Sequence, residues 1–102
     1  METKKTQTLR KLKSNIKTIK NFGVERIGLF GSVVKGMSGK DSDIDIIVEF
    51  KKEDETFSNL MNLYFFLEKL FGRKVDLVTK DSISPYIKPY ILKEVVYIEG
   101  LS

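Results

Sequence analysis

The sequence predicts an α/β domain in which a small mixed β-sheet is flanked by helices. Three observations carry that expectation. From Asp43 to Phe50 apolar and polar residues alternate, with Ile44, Ile46, Val48 and Phe50 on one face of a strand and Asp43, Asp45, Ile47 and Glu49 on the other. Leu9, Leu12, Ile16, Ile19 and Phe22, and again Phe57, Leu60, Met61, Tyr64, Leu67 and Phe71, recur at steps of three and four, the spacing of one helix face. Two short apolar runs, Arg26 to Phe30 and Lys74 to Thr79, read as further strands. The order is helix, strand, helix, strand, helix, strand, helix.

Each element has local signals. The first helix spans 6–22, with Gly23 as its stop and lysines opposite the apolar stripe. Gly31 ends the first strand, Ser32 to Lys35 forms one helical turn, and Gly36 stops it. Met37 to Ser42 reads as an exposed loop. The second strand packs one side on a core and offers the other to a cleft. Lys51 to Glu55 is a charged turn in which Asp54 or Thr56 caps the next helix. Leu63, Phe66 and Leu70 widen that helix's stripe, so it is expected to be largely buried with its aromatics in the core, and Gly72 ends it. In the third strand Val75 and Leu77 share one face, Asp76 and Val78 the other. Ser84-Pro85 begins a short helical turn, and Pro89 suits the first position of a last helix, Tyr90 to Tyr97, whose β-branched end is also compatible with a strand.

Composition narrows the chemistry. All 102 residues are expected to form one domain, with residues 1–23 a basic amphipathic helix and 24–102 bearing the motifs. A domain of this size buries only roughly 60–65% of its unfolded surface, so there is no room for a separate substrate domain. Cysteine and histidine are absent, which removes thiolate chemistry, disulfides, Ser-His and Cys-His arrangements and ordinary zinc sites. The run Leu63-Tyr64-Phe65-Phe66-Leu67 is too short to cross a bilayer, and no hydrophobic stretch follows the basic N-terminus. A cytoplasmic protein without membrane contact is expected. Seven basic residues against Glu2 alone make the first twenty residues +6, against +4 for the whole chain. This segment is either the solvated face of a helix or a contact to RNA or an acidic partner.

Chemistry therefore falls to carboxylates, hydroxyls, lysines and backbone amides. Asp43 and Asp45 stand at i and i+2 at the head of a strand, on one face, with Cα atoms roughly 6.5 Å apart. Asp76 sits mid-strand between apolar neighbours, as a semi-buried carboxylate needing a partner or a cation, or as a surface residue paired with Lys74 or Arg73. If the two strands are adjacent, one face gathers Asp43, Asp45 and Asp76. Such a hard oxygen site prefers Mg²⁺ or Mn²⁺. Two ions there could clamp the attacking and leaving oxygens of a displacement on phosphorus. Gly31-Ser32, between strand and helical turn, leaves amide N–H groups for an anion. Ser32 adds a hydroxyl and Lys35 a mobile cation. Taken singly, Gly-Ser is also a common turn, and Asp41-Ser42-Asp43 a capped loop. There is no G-x-x-x-x-G-K-[ST].

Gly31-Ser32, then Gly36, then Ser42-Asp43-Ile44-Asp45-Ile46-Ile47-Val48, resembles the signature of the polymerase β-like nucleotidyltransferase superfamily. The compact size, Val75-Asp76-Leu77-Val78, and the ending Ile87 to Ile98 resemble its minimal nucleotidyltransferase branch. The resemblance implies the polymerase β-like fold, with Asp43 and Asp45 binding both metals. Asp76 would complete the catalytic metal site and help activate the acceptor hydroxyl. Gly31 and Ser32 would hold the β- and γ-phosphates of ATP or another nucleoside triphosphate. The family often has arginine before the second glycine. Here Lys35 precedes Gly36, which keeps the charge without the bidentate fork. The branch also implies a partner, a HEPN-domain ribonuclease toxin that the antitoxin neutralises by transferring AMP to a tyrosine. The alternatives are an antitoxin that acts by binding alone, and transfer to a small molecule or to RNA.

Overall fold

The computed structural model describes residues 3–36 and 43–98. The expected loop from Met37 to Ser42 lies outside the described residues. Four strands, β1 (Val24–Phe30), β2 (Ile44–Phe50), β3 (Val75–Thr79) and β4 (Val96–Tyr97), make one sheet in the order β3-β2-β1-β4. β2 and β3 run parallel, whereas β1 is antiparallel to β2 and β4, so the sheet is mixed as expected. A parallel pair needs a long crossover, and α4 (Phe57–Phe71) provides it between β2 and β3.

The core lies on the sheet face that carries Ile27, Leu29, Ile44, Ile46, Val48 and Val75. There Leu12, Ile19, Leu63 and Leu67 from the helices are fully buried. The first helix begins earlier than expected and is broken: α1 (Lys4–Ser14) and α2 (Ile16–Asn21) meet at Asn15. The Asn15 side chain donates to the Lys11 carbonyl at 2.8 Å, and its own amide turns to Leu12 at 3.1 Å, which tightens the chain and re-aims the stripe. α3 (Ser32–Lys35) is the expected single turn between Gly31 and Gly36. Thr56 caps α4, accepting from the Asn59 amide at 3.1 Å.

Three expectations are corrected. α4 is only half covered. Phe66 packs on Phe22 with ring centroids 5.6 Å apart, but Phe57 and Phe65 are 77% and 58% exposed. A small sheet covers only part of so wide a stripe, and these two aromatics fall outside it. The last helix, α5 (Lys88–Glu94), has Pro89 at its second position and stops before Val95. Val96 and Tyr97 then pair with Leu29 and Gly28 on the open edge of β1. Gly28 permits that approach, because a Cβ there would lie 2.9 Å from the Val96 carbonyl oxygen and 2.8 Å from a Val95 methyl. Finally, the second face of β2 is not a continuous cleft. Ile47 is fully buried under Phe30 and Ile83, with Val78, Ile91, Leu92 and Val95 packed around them. Among the described residues no helix is long and apolar enough to cross a membrane.

Candidate active site

Register organises this second face into rows. Phe30, Asp45 and Asp76 face one another across β1, β2 and β3. Gly28, Ile47 and Val78 form the next row, which α5 covers. Arg26 and Glu49 head the third, where Glu49 lies 3.6 Å from Arg26 and 3.8 Å from Lys80. The charged end and the acidic end are thus separated by an apolar middle. Only the acidic end adjoins the Gly-Ser turn.

Asp45 is half-buried and Asp76 exposed. The expected semi-burial of Asp76 is therefore corrected: β3 is an edge strand, and its polar side chain opens to water. The expected adjacency holds, because Asp45 and Asp76 are paired in register. Burial pushes the Asp45 carboxyl above its ordinary value, and the Asp76 charge adds to this. A hydrogen bond from the Ser32 amide pulls the other way, and the charge of Asp43 and a hydrogen bond with Asp76 raise it further. The structure thus brings Asp43, Asp45, Asp76 and Ser32 into one electrostatic neighbourhood.

Gly31 is the hinge of the site. Its φ of 75° and ψ of −148° belong to a region open essentially to glycine alone. A Cβ there would also run into the Asp45 carboxylate. The Gly31 amide donates to Glu94 Oε1 at 3.0 Å, and Glu94 Oε2 lies 3.2 Å from Lys35 Nζ. Lys35, expected as a mobile cation, is thus paired. Gly36 is a left-handed stop, and a Cβ added there would meet nothing within 4 Å. Sequence reasoning missed Glu94. Its one signal was a carboxylate in the last turn of a helix, where the dipole disfavours negative charge.

Among the described residues no three acidic side chains form a ready metal cluster. The donor set nevertheless suits a hard divalent ion. Two carboxyls paired in register, one with its proton affinity raised, favour a shared proton or a cation between them. Both are oxygen donors, in a chain that has neither cysteine nor histidine.

The nucleotidyltransferase domain family matches residues 9–98. The chain belongs to that family, and it is a nucleotidyltransferase. It is 46% identical over 77 residues to the protein adenylyltransferase MntA of Thermococcus cleftensis, covering 76% of this chain and 77% of the relative. A Methanocaldococcus jannaschii relative whose name ranks it as a candidate protein adenylyltransferase is 43% identical over 94 residues, covering 90% and 92% of the two chains. Among solved structures, a candidate minimal nucleotidyltransferase superposes with a TM-score of 0.72 at 29% identity, covering 86% of this chain and 93% of that one. A toxin–antitoxin structure with AMP-PNP superposes with a TM-score of 0.68 at 24% identity, covering 86% and 73%, and shows the shared fold.

Proposed function

We propose that this chain transfers AMP from ATP to a tyrosine of a HEPN ribonuclease toxin in a divalent-metal-dependent reaction, as a cytoplasmic antitoxin. One observation carries the reading: Asp45 is paired in register with Asp76, and its carboxylate lies where a Cβ on Gly31 would sit, which ties the acidic row to the glycine turn. The names of the relatives support AMP as the transferred group and a protein as the acceptor. The toxin–antitoxin fold match supports the partner.

In this reading Asp43, Asp45 and Asp76 hold one or two Mg²⁺ ions, with Mn²⁺ as a substitute. When bound, these ions would neutralise charge on the reacting phosphate and lower the cost of its displacement. The chain's own part is positional. The Gly31 and Ser32 amides, now serving Glu94 and Asp45, are the donors offered to the β- and γ-phosphates, and Lys35 supplies charge beside them. Gly31, Ser32, Lys35 and Gly36 then form the nucleotide side, and Asp76 at the open edge faces the acceptor. Incubation of the chain with labelled ATP, Mg²⁺ and the partner toxin tests this. The label should appear on the toxin and vanish with Asp43→Asn and with Asp45→Asn. Label that persists in both variants would overturn the reading.

A further inference from the structure

Beside Asp76 lies a cavity of about 310 Å³, lined by Phe30, Val78, Ile83, Ile87 and Ile91, with Ser82 and Ser84 at its polar side. Small-molecule pockets run about 300–1,000 Å³, so this one suits a single ring rather than a whole nucleotide. Each of its two hydroxyls has one local partner. Ser82 Oγ donates to the Thr79 carbonyl at 2.9 Å, and Ser84 Oγ accepts from the Tyr86 amide at 3.4 Å. Among the described residues that line it, Asp76 is the one charged group, and it belongs also to the acidic row.

We infer that this cavity receives the phenolic ring of the acceptor tyrosine, presented on a protein partner, with its hydroxyl beside Asp76. The inference rests on the nucleotidyltransferase reading above and names where its acceptor binds. A phenol has an apolar body and one polar tip, which matches apolar walls and a single carboxylate. A purine carries several ring and amino groups around its edge and would leave them unpaired against Phe30, Val78, Ile83 and Ile91. The rim fits a protein carrier. Tyr86, Ile87 and Tyr90 are 87%, 51% and 72% exposed, a patch of large apolar side chains of the kind found at interfaces. In the transfer, the phenolic oxygen bonds to the α-phosphorus of ATP. The bond from that phosphorus to the oxygen bridging the β-phosphate breaks, and pyrophosphate leaves with the electron pair. The phenol proton leaves to water at the open edge of the cavity.

The experiment is a titration of the isotope-labelled chain, followed by amide shifts, with p-cresol, with adenosine and with ATP plus Mg²⁺ in turn. p-Cresol should shift Val78, Ile83, Ile87 and Ile91, and adenosine should not displace it. Ile87→Arg, at an exposed position, should weaken p-cresol about tenfold or more, the scale of one lost aliphatic contact, and leave ATP binding intact. p-Cresol shifts that are absent or centred elsewhere, or displacement by adenosine, would overturn the pocket while normal ATP shifts at Gly31 and Ser32 keep the nucleotide reading. Absence of those ATP shifts in the wild-type chain would overturn the nucleotide reading and the acceptor role with it.

Discussion

The two faces of β2 differ in what they cost and what they do. One face sets Ile44, Ile46 and Val48 against the helices, all within 2% of complete burial. The other begins with Asp45, whose carboxyl is held above its ordinary value by burial and by Asp76, and then closes over Ile47. The first face stabilises the fold. The second places charge where the fold would be better off without it, as sites built for chemistry do. Stability and function are thus separable by residue parity along a single strand.

The largest expected effects contrast the two faces directly. Asp45→Asn should cut AMP transfer by about a thousandfold, the equivalent of several kcal/mol at the transition state, in a chain that still folds. Ile46→Ala should lower unfolding free energy by about 2–5 kcal/mol in a denaturant titration, with activity lost only as the folded fraction falls. If the Asp45 variant unfolds and the Ile46 variant does not, the assignment of the faces is reversed. Gly31→Ala tests the junction between the faces. The positive φ and the clash with Asp45 should cost about 1–3 kcal/mol and displace the turn, which impairs stability and nucleotide binding together.

Much of this arrangement was legible beforehand. The alternation at 43–50 gave the core face and the acidic face correctly, because a half-buried strand leaves its period in the sequence. The three aspartates were singled out without knowledge of the sheet order, and the register then paired Asp45 with Asp76. What was not legible depended on partners distant in sequence. The β-branched end already offered a strand at Val96–Tyr97 as an alternative, but not its place, which exists because bare Gly28 leaves room at the edge of β1. Ile47 is buried because α5 folds back over it, and the pairing of Glu94 with Gly31 and Lys35 spans most of the chain. Asn15 broke the first helix by a side-chain hydrogen bond that its periodicity does not reveal.

Two smaller effects sharpen the comparison. Glu94→Gln keeps the shape but removes the charge that occupies the Gly31 amide and Lys35, so ATP should bind severalfold more tightly by calorimetry. Weaker binding would mean that Glu94 builds the turn rather than competing for it. Asp45 also makes a pH signature. Its folded-state affinity for a proton is raised, so its share of stability is full below the ordinary value of 3.8 and is lost as pH rises through the raised one. Asp45→Asn should therefore melt slightly higher at neutral pH, a modest gain because the group is partly hydrated, and the gain should shrink in acid.

The most direct test of the central claim is calorimetric titration of ATP into the chain with its partner present, in Mg²⁺ and in excess chelator. The account predicts uptake that requires Mg²⁺ and is abolished by Asp45→Asn. Equal uptake in chelator, or unchanged uptake by the Asp45 variant, would contradict it.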